Sequence, residues 1–254
     1  MLSIYPIHNI PLIQPGYDLA AILLMALGEN QLSLQEGDIL VLAQKIVSKA
    51  ENRLVNLTQV EPSPRAIELA AKTEKDARMI ELVLRESSEV LRYRPGTVIV
   101  EHKLGFVCAN AGIDHSNVEG TWGNPDDWLL LLPENPDRSA EQIRTRIAEE
   151  TGISPGVMII DSHGRAWRMG TVGVAIGLAG MPGLVDLRGQ EDMFGFRLRV
   201  TQVAAADELA AAASLVMGQA SERVPAVLVR GFPYPLREGS LGELLRPKDL
   251  DLFR

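Results

Sequence analysis

The stretch Gly156-Val157-Met158-Ile159-Ile160-Asp161-Ser162-His163-Gly164-Arg165 decides how this chain is read. Its first five residues form a short apolar run bounded by turn-forming residues, the pattern of a buried strand. An acid, a hydroxyl, an imidazole, a glycine and an arginine follow at once, so a strand ending near Ile160 would present Asp161 and Ser162 at its edge, with Gly164 letting the chain bend back. An ordinary exit from strand to turn has the same composition, because Asp and Gly favour turns for local reasons. The rest of the chain decides between the two.

Upstream, Ile39-Leu40-Val41-Leu42-Ala43 follows the turn Gly37-Asp38 and is apolar at every position, as a strand covered on both faces requires. Its exit carries Gln44, Lys45, Ser48 and Lys49. Lys45 and Lys49 are four apart, so on a helix both ammonium groups address one phosphate; two solvated lysines are the competing reading. Met1 to Ile13 contains a strand-like run, and Asp18 caps a helix whose apolar face is Leu19, Ile22, Leu23, Ala26 and Leu27. Ser63-Pro64 starts a helical region extending to about residue 87. Residues 97–100 and 104–109 read as strands in a hairpin, a polar stretch spans 119–127, and Leu129 to Leu132 is a short apolar run. Ser139 and Gln142 match a capping box for a helix over 140–151 ending at Gly152. Val172 to Leu178 and Pro225 to Val229 are further strands, Arg197 to Val203 alternates like a half-exposed one, and residues 206–217 form an alanine-rich helix. Helices and strands mix without strict alternation, so the expected class is α+β, with mixed and antiparallel sheets flanked by helices in two lobes.

At 254 residues and 46% hydrophobic content, the chain buries a large core without metals or disulfides. A single cysteine, Cys108, makes no internal disulfide and fits a reducing cytoplasm, with packing as its simplest role. No leader or membrane-length apolar run is present, which predicts a soluble cytoplasmic protein. A formal charge of −8 argues against a broad nucleic-acid surface, and aromatics at 5% offer no stacking platform. Neither a P-loop nor a GxGxxG pattern occurs, and Gly170, Gly173, Gly177 and Gly180 are better read as close backbone packing. Asp114, Asp161, Ser162 and Gln219 are oxygen donors at element ends, suited to Mg²⁺ or Mn²⁺ rather than zinc. Asp114-His115-Ser116 holds the letters of a hydrolase triad, yet adjacent side chains rarely align as one.

Taken in order, several blocks resemble the coenzyme F420:L-glutamate ligase family: residues 37–51, Asn110 to Asn117, Leu132 to Ala140, Asp161 to Arg165, Trp167 to Gly177, Asp186 to Gly189, and Met217-Gly218-Gln219. Together they cover nearly the whole chain, which the resemblance makes one catalytic unit, residues 1–254, without the appended reductase domain that some relatives carry. The resemblance implies a cytoplasmic, homodimeric enzyme that uses GTP to join L-glutamate to the carboxylate of coenzyme F420-0, then adds a second through a γ-linkage, by way of an acyl phosphate. It also implies two divalent ions, Mg²⁺ or Mn²⁺, with potassium assisting. By position, Asp114 and Asp161 look like ligands of one metal, and Ser162 and Gln219 of a second. The segments matching the family's GTP contacts are Ile10, Pro11, Leu12 and Ile13; Gln44, Lys45, Lys49 and Asn117; and Met217, Gly218, Gln219, Ala220, Ser221, Glu222, Arg223 and Val224. On charge alone, Arg165, Arg168 and Arg188 are further candidates for phosphate or carboxylate contacts. Departures from the family pattern are Ser162 in place of Thr, Asn135 in place of Asp, and Phe196 in place of Arg. Other readings are an amide-forming ligase with a different carboxylate acceptor, and a GTP- or F420-binding module without catalysis.

Overall fold

A computed structural model describes residues 1–118, 120 and 122–252, so within the polar stretch 119–127 Glu119 and Thr121 lie outside the described residues. The fold is α+β. In chain order the elements are β1 (Ser3–Pro6), α1 (Leu19–Glu29), β2 (Ile39–Ala43), α2 (Gln44–Ala50), β3 (Leu54–Asn56), α3 (Pro64–Thr73), α4 (Ala77–Arg85), β4 (Ser87–Arg94), β5 (Thr97–His102), β6 (Val107–Ala109), β7 (Trp128–Leu130), α5 (Pro136–Thr151), β8 (Gly156–Arg165), β9 (Arg168–Ala179), β10 (Val185–Asp186), β11 (Gln202–Val203), α6 (Ala205–Met217) and β12 (Ala226–Arg230), with short 3₁₀ turns between.

The main sheet has the order β1-β12-β2-β8-β9, in which only β2 and β8 run parallel. This explains why β2 is apolar throughout. Leu40 and Leu42 enter a core beneath α1 and α5, while Ile39 and Val41 enter a second core beneath α6. Each such fully buried Leu or Ile contributes about 1.5–3 kcal/mol. A third core gathers α3, α4 and the antiparallel sheet β4-β5-β6, and includes Cys108, which is buried.

Helix ends follow local chemistry. Asp18 accepts from the Ala21 amide and Ser63 from the Ala66 amide, each satisfying a first-turn N–H. In α5 the cap is Asn135, which accepts from the Arg138 amide, with Pro136 in the first helical position. The helix therefore starts four residues before the predicted one, and the Ser139–Gln142 capping box is not formed. Ser139 instead donates to Glu51 and to the Asn135 carbonyl.

The central stretch also differs from its reading. β8 does not stop at Ile160 but runs to Arg165, paired with β9 from Val157 onward. β2 ends at Ala43, opposite Ile160, so beyond that point β8 and β9 leave the sheet as a two-stranded ribbon and lose burial. Asp161 and Ser162 thus sit within a strand, and the turn falls at Trp167. β4 carries no strand signature in the sequence, because it is largely exposed and two register shifts break its alternation. Conversely, only Gln202 and Val203 of the 197–203 segment are a strand. Just before them, Asp192 accepts from the amides of Phe194 and Phe196 and holds a turn. Of the four glycines, Gly173 and Gly177 do lie in close backbone packing, against α6 and α5.

Candidate active site

Because β2 and β8 are parallel and Ala43 pairs with Ile160, the next residue on each strand emerges at the same sheet edge. Those residues are Gln44, which opens α2, and Asp161. Gln44 is buried, and its Oε1 accepts from Ser48 Oγ at 2.8 Å, so its NH₂ faces outward and donates to Asp114 Oδ2 at 2.6 Å. Asp114 arrives from the other side of the molecule. Three successive left-handed residues, Asn110, Ala111 and Gly112, reverse the chain after β6, and paired backbone hydrogen bonds with Leu130 then pin Asp114 beside β7.

The segment after β2 is helical, so Lys45 and Lys49 share one face as anticipated. Lys45 pairs with Asp114 Oδ1 at 3.2 Å and donates to the carbonyl and hydroxyl of Ser116 at 3.0 and 3.1 Å. Lys49 donates to the Asn117 carbonyl at 2.8 Å. Asn117, at φ 56°, in turn donates to the Ala220 carbonyl at 3.4 Å and joins this loop to the one after α6. His115 contacts the Asp126 carbonyl and Ser116 contacts Lys45, so Asp114, His115 and Ser116 form no triad.

Alternation along β8 sends Ser162 to the opposite face from Asp161. There its hydroxyl donates to Gln219 Oε1 at 2.8 Å, and Gln219 Nε2 donates to Ser214 Oγ on α6 at 2.9 Å. Helix α6 stops at Gly218, whose φ of 75° and ψ of −178° suit glycine alone. Glu222 then folds back to accept from the Ala220 amide, and Val224 returns to the second core. Ser221, Glu222 and Arg223 are exposed beside this turn, whereas Met217 is buried.

The four predicted oxygen donors therefore fall into two pairs, Asp114 with Asp161 and Ser162 with Gln219, one on each face of a single strand. Burial raises the Asp114 carboxyl most, the Lys45 charge pulls it back, the Asp161 charge adds to the rise, and hydrogen bonds from Lys45 and Gln44 oppose it, leaving it at about 6. Among the described residues no group of three or more His, Cys, Asp or Glu side chains forms a ready metal cage. A mixed set of carboxylate, hydroxyl and amide oxygens suits Mg²⁺ or Mn²⁺, which keep waters and substrate oxygens in their shell. Two carboxylates whose charges interact, one of them drawn towards its protonated form mainly by burial, also suit a cation between them.

Other predicted residues are placed differently. Ile10 and Ile13 pack into the core that also receives Ile46 and Val47 of α2, while Pro11 and Leu12 are exposed. Arg165 and Arg168 pair across the exposed end of the ribbon, and Arg165 donates to the Gly170 carbonyl. Arg188 forms a bidentate pair with Asp186, so the structure does not bring these arginines into the cluster. Sequence reasoning missed His163, which lies two residues beyond Asp161 on the same strand face and contacts its carboxylate at 3.0 Å. The period-two spacing was the available signal. Cys108 is buried, and burial together with the Asp161 charge pushes its thiol up to about 12, which leaves it unreactive.

A protein-family profile described as F420-0:Gamma-glutamyl ligase matches residues 8–231. The coenzyme F420:L-glutamate ligase of Methanothermobacter thermautotrophicus is 47% identical over 255 residues, covering 100% of this chain and 99% of its own. Those of Methanopyrus kandleri and Archaeoglobus fulgidus are 44% and 42% identical, each covering all of this chain and 98% and 96% of their own lengths. With the match running through both strand ends, α2 and the loop after α6, the chain belongs to the F420-0:gamma-glutamyl ligase family.

Proposed function

We propose that this chain is a GTP-dependent ligase of coenzyme F420 biosynthesis that joins L-glutamate to the carboxylate of F420-0. The ligase role rests on family membership. GTP as the activating substrate is supported by one observation above the others: Gln44, Lys45 and Asp114 gather beside Asp161 where two parallel strands end, with Lys49 one turn further along α2, so cations and carboxylates border one edge. Strand ends of this kind are a usual place for ligands in sheets with parallel strands.

In this reading a carboxylate oxygen of F420-0 attacks the γ-phosphorus, a new O–P bond forms, and the bond to the departing GDP breaks. The glutamate amine then attacks the acyl carbon, the amide forms, and inorganic phosphate leaves as the nitrogen gives up a proton. Asp114 and Asp161 would hold one Mg²⁺ or Mn²⁺, and Ser162 with Gln219 a second, with potassium assisting. Such ions supply the positive charge that lets a carboxylate approach a triphosphate. Lys45 and Lys49 exchange the carbonyls of Ser116 and Asn117 for phosphate oxygens when nucleotide enters. The 217–224 turn lines the same space through the Asn117–Ala220 contact.

A homodimer is part of the proposal. Trp167 and Met169 near the ribbon turn, and Met193 and Phe194 in the loop between β10 and β11, are largely exposed apolar side chains that a second subunit would cover. A cytoplasmic location accords with the single buried thiol, and among the described residues no helix is long and apolar enough to cross a membrane.

The test is incubation with F420-0, L-glutamate, GTP and Mg²⁺ or Mn²⁺, following GDP and acceptor mass. Glutamate-sized increments that require both GTP and metal support the reading, and their number gives the chain length. GTP binding without GDP or mass change overturns it in favour of a binding module, while GDP release with a different carboxylate acceptor overturns the F420-0 assignment.

A further inference from the structure

β9 contains a bulge close to the site. Ile159 pairs with Gly177 but Ile160 pairs with Ala175, leaving Ile176 as the extra residue. A bulge leaves backbone groups without their ladder partners. β9 is also the edge strand of its sheet, and on either side of the bulge one outward amide is satisfied by a carboxylate from a helix first turn. The Ala175 N–H donates to Asp207 Oδ1 of α6 at 3.0 Å, and the Leu178 N–H donates to Asp137 Oδ1 of α5 at 2.8 Å.

The two anchors have different reach. Asp137 also accepts from the Leu241 amide at 3.1 Å and ties α5 to the C-terminal segment, away from the cluster. Asp207 ties α6, and α6 carries Gln219 just beyond its end. Between them the helix lies directly on β9: a Cβ added to Gly173 would meet the Ala210 carbonyl at 2.5 Å and Ser214 Cβ at 2.6 Å. Gly173 is the residue paired with Ser162. Ser214 then accepts from Gln219, and Gln219 accepts from Ser162. One connected path thus runs from Asp207 through the bulge and the α6–Gly173 contact to the Ser162–Gln219 pair.

We propose that Asp207 is a positioning residue: its bond to the Ala175 amide fixes the bulge and the register of α6 on β9, and so holds Gln219 against Ser162. This rests on the site proposed above. Misplacement by about 1 Å is enough to cost about 100-fold in rate, so loss of this anchor acts on turnover more than on folding.

The experiment compares Asp207→Ala, Asp207→Asn and Asp137→Ala, with Asp161→Asn as the control for the site itself. Ligation is measured as kcat and KM for GTP, alongside amide hydrogen exchange at Ala175 and thermal melting. Asp207→Asn keeps an acceptor oxygen, and we expect near wild-type turnover. Asp207→Ala is expected to lose at least about tenfold in kcat with KM for GTP little changed, and to speed Ala175 exchange at least about tenfold. Asp137→Ala is expected to melt earlier with kcat unchanged. Equal losses of kcat in Asp207→Ala and Asp137→Ala, scaling with melting temperature, overturn the positioning role. So does full activity in Asp207→Ala while Asp161→Asn is inactive. An active Asp161→Asn instead overturns the underlying site, and the Ala175 exchange rate still reports whether Asp207 holds the bulge.

Discussion

Replacing His102 tests how burial sets the pH range of this fold. His102 ends β5, is 2% exposed, and stacks on Phe106 with ring centroids 5.2 Å apart. Its Nδ1 accepts from the Leu104 amide at 3.0 Å, which places the ring proton on Nε2, a buried atom with no hydrogen-bond partner among the described residues. Burial pushes its pKa down from 6.5 to about 4, and the charges of Arg53, Lys103 and His163 act in the same direction. The unfolded chain then binds a proton as pH falls through its ordinary value, while the native protein does not until about 4. The neutral ring's contribution is therefore fully present above the unfolded value, declines as pH falls, and is lost once pH passes below the folded value. One pKa unit is about 1.4 kcal/mol, so the full span is about 3 kcal/mol, and about 2 kcal/mol is already lost by about pH 5. Urea unfolding of the wild type and of His102→Phe at about pH 7.5 and about pH 5 measures this, because the difference between their pH slopes cancels other groups, Asp114 included. The wild type should lose about 2 kcal/mol more than the variant across that interval. Parallel slopes, or an imidazole that NMR shows charged at about pH 5, would refute the reasoning.

Three further outcomes are expected. Lys45→Ala removes the ammonium that holds Asp114 and Ser116, and should weaken GTP binding about 10- to 100-fold by calorimetry, as loss of a charged hydrogen bond does; unchanged affinity would remove Lys45 from the nucleotide site. Gly177→Ala should cost about 1–3 kcal/mol of stability in denaturant unfolding, since its Cβ would lie 2.3 Å from Pro136 Cβ and 2.5 Å from that residue's carbonyl carbon. Asn135→Asp keeps an acceptor for the Arg138 amide, so its unfolding free energy should stay within about 0.5 kcal/mol of wild type, and any change in ligation would then come from substrate contact.

Asp114 and Asp161 show what single-sequence reasoning reaches. Their chemical suitability is readable from residue type and from the strands nearby, and the resemblance pairs them, but their meeting depends on Ala43 pairing with Ile160 and Asp114 with Leu130. Neither pairing is local. In the Asp161–Arg165 run, Asp, Ser and Gly carry a local preference for a turn, and pairing with β9 overrides it. β4 escaped for the opposite reason, since a largely exposed strand with broken register carries no hydrophobic alternation to detect.

What the sequence by itself determined is local or cumulative. The apolar run of β2, the helix starts at Asp18 and Ser63, the four-residue spacing of Lys45 and Lys49, and the ordered blocks that mark the family all follow from residues near one another in the chain. The tertiary structure alone decided the parallel pairing that makes Gln44 and Asp161 neighbours, the division of the oxygen donors between two faces of β8, and the anchoring of α6 by Asp207. Those depend on which distant backbone amides and carbonyls satisfy one another once the chain is packed, and a bulge of one residue in β9 is enough to change which side chains face α6.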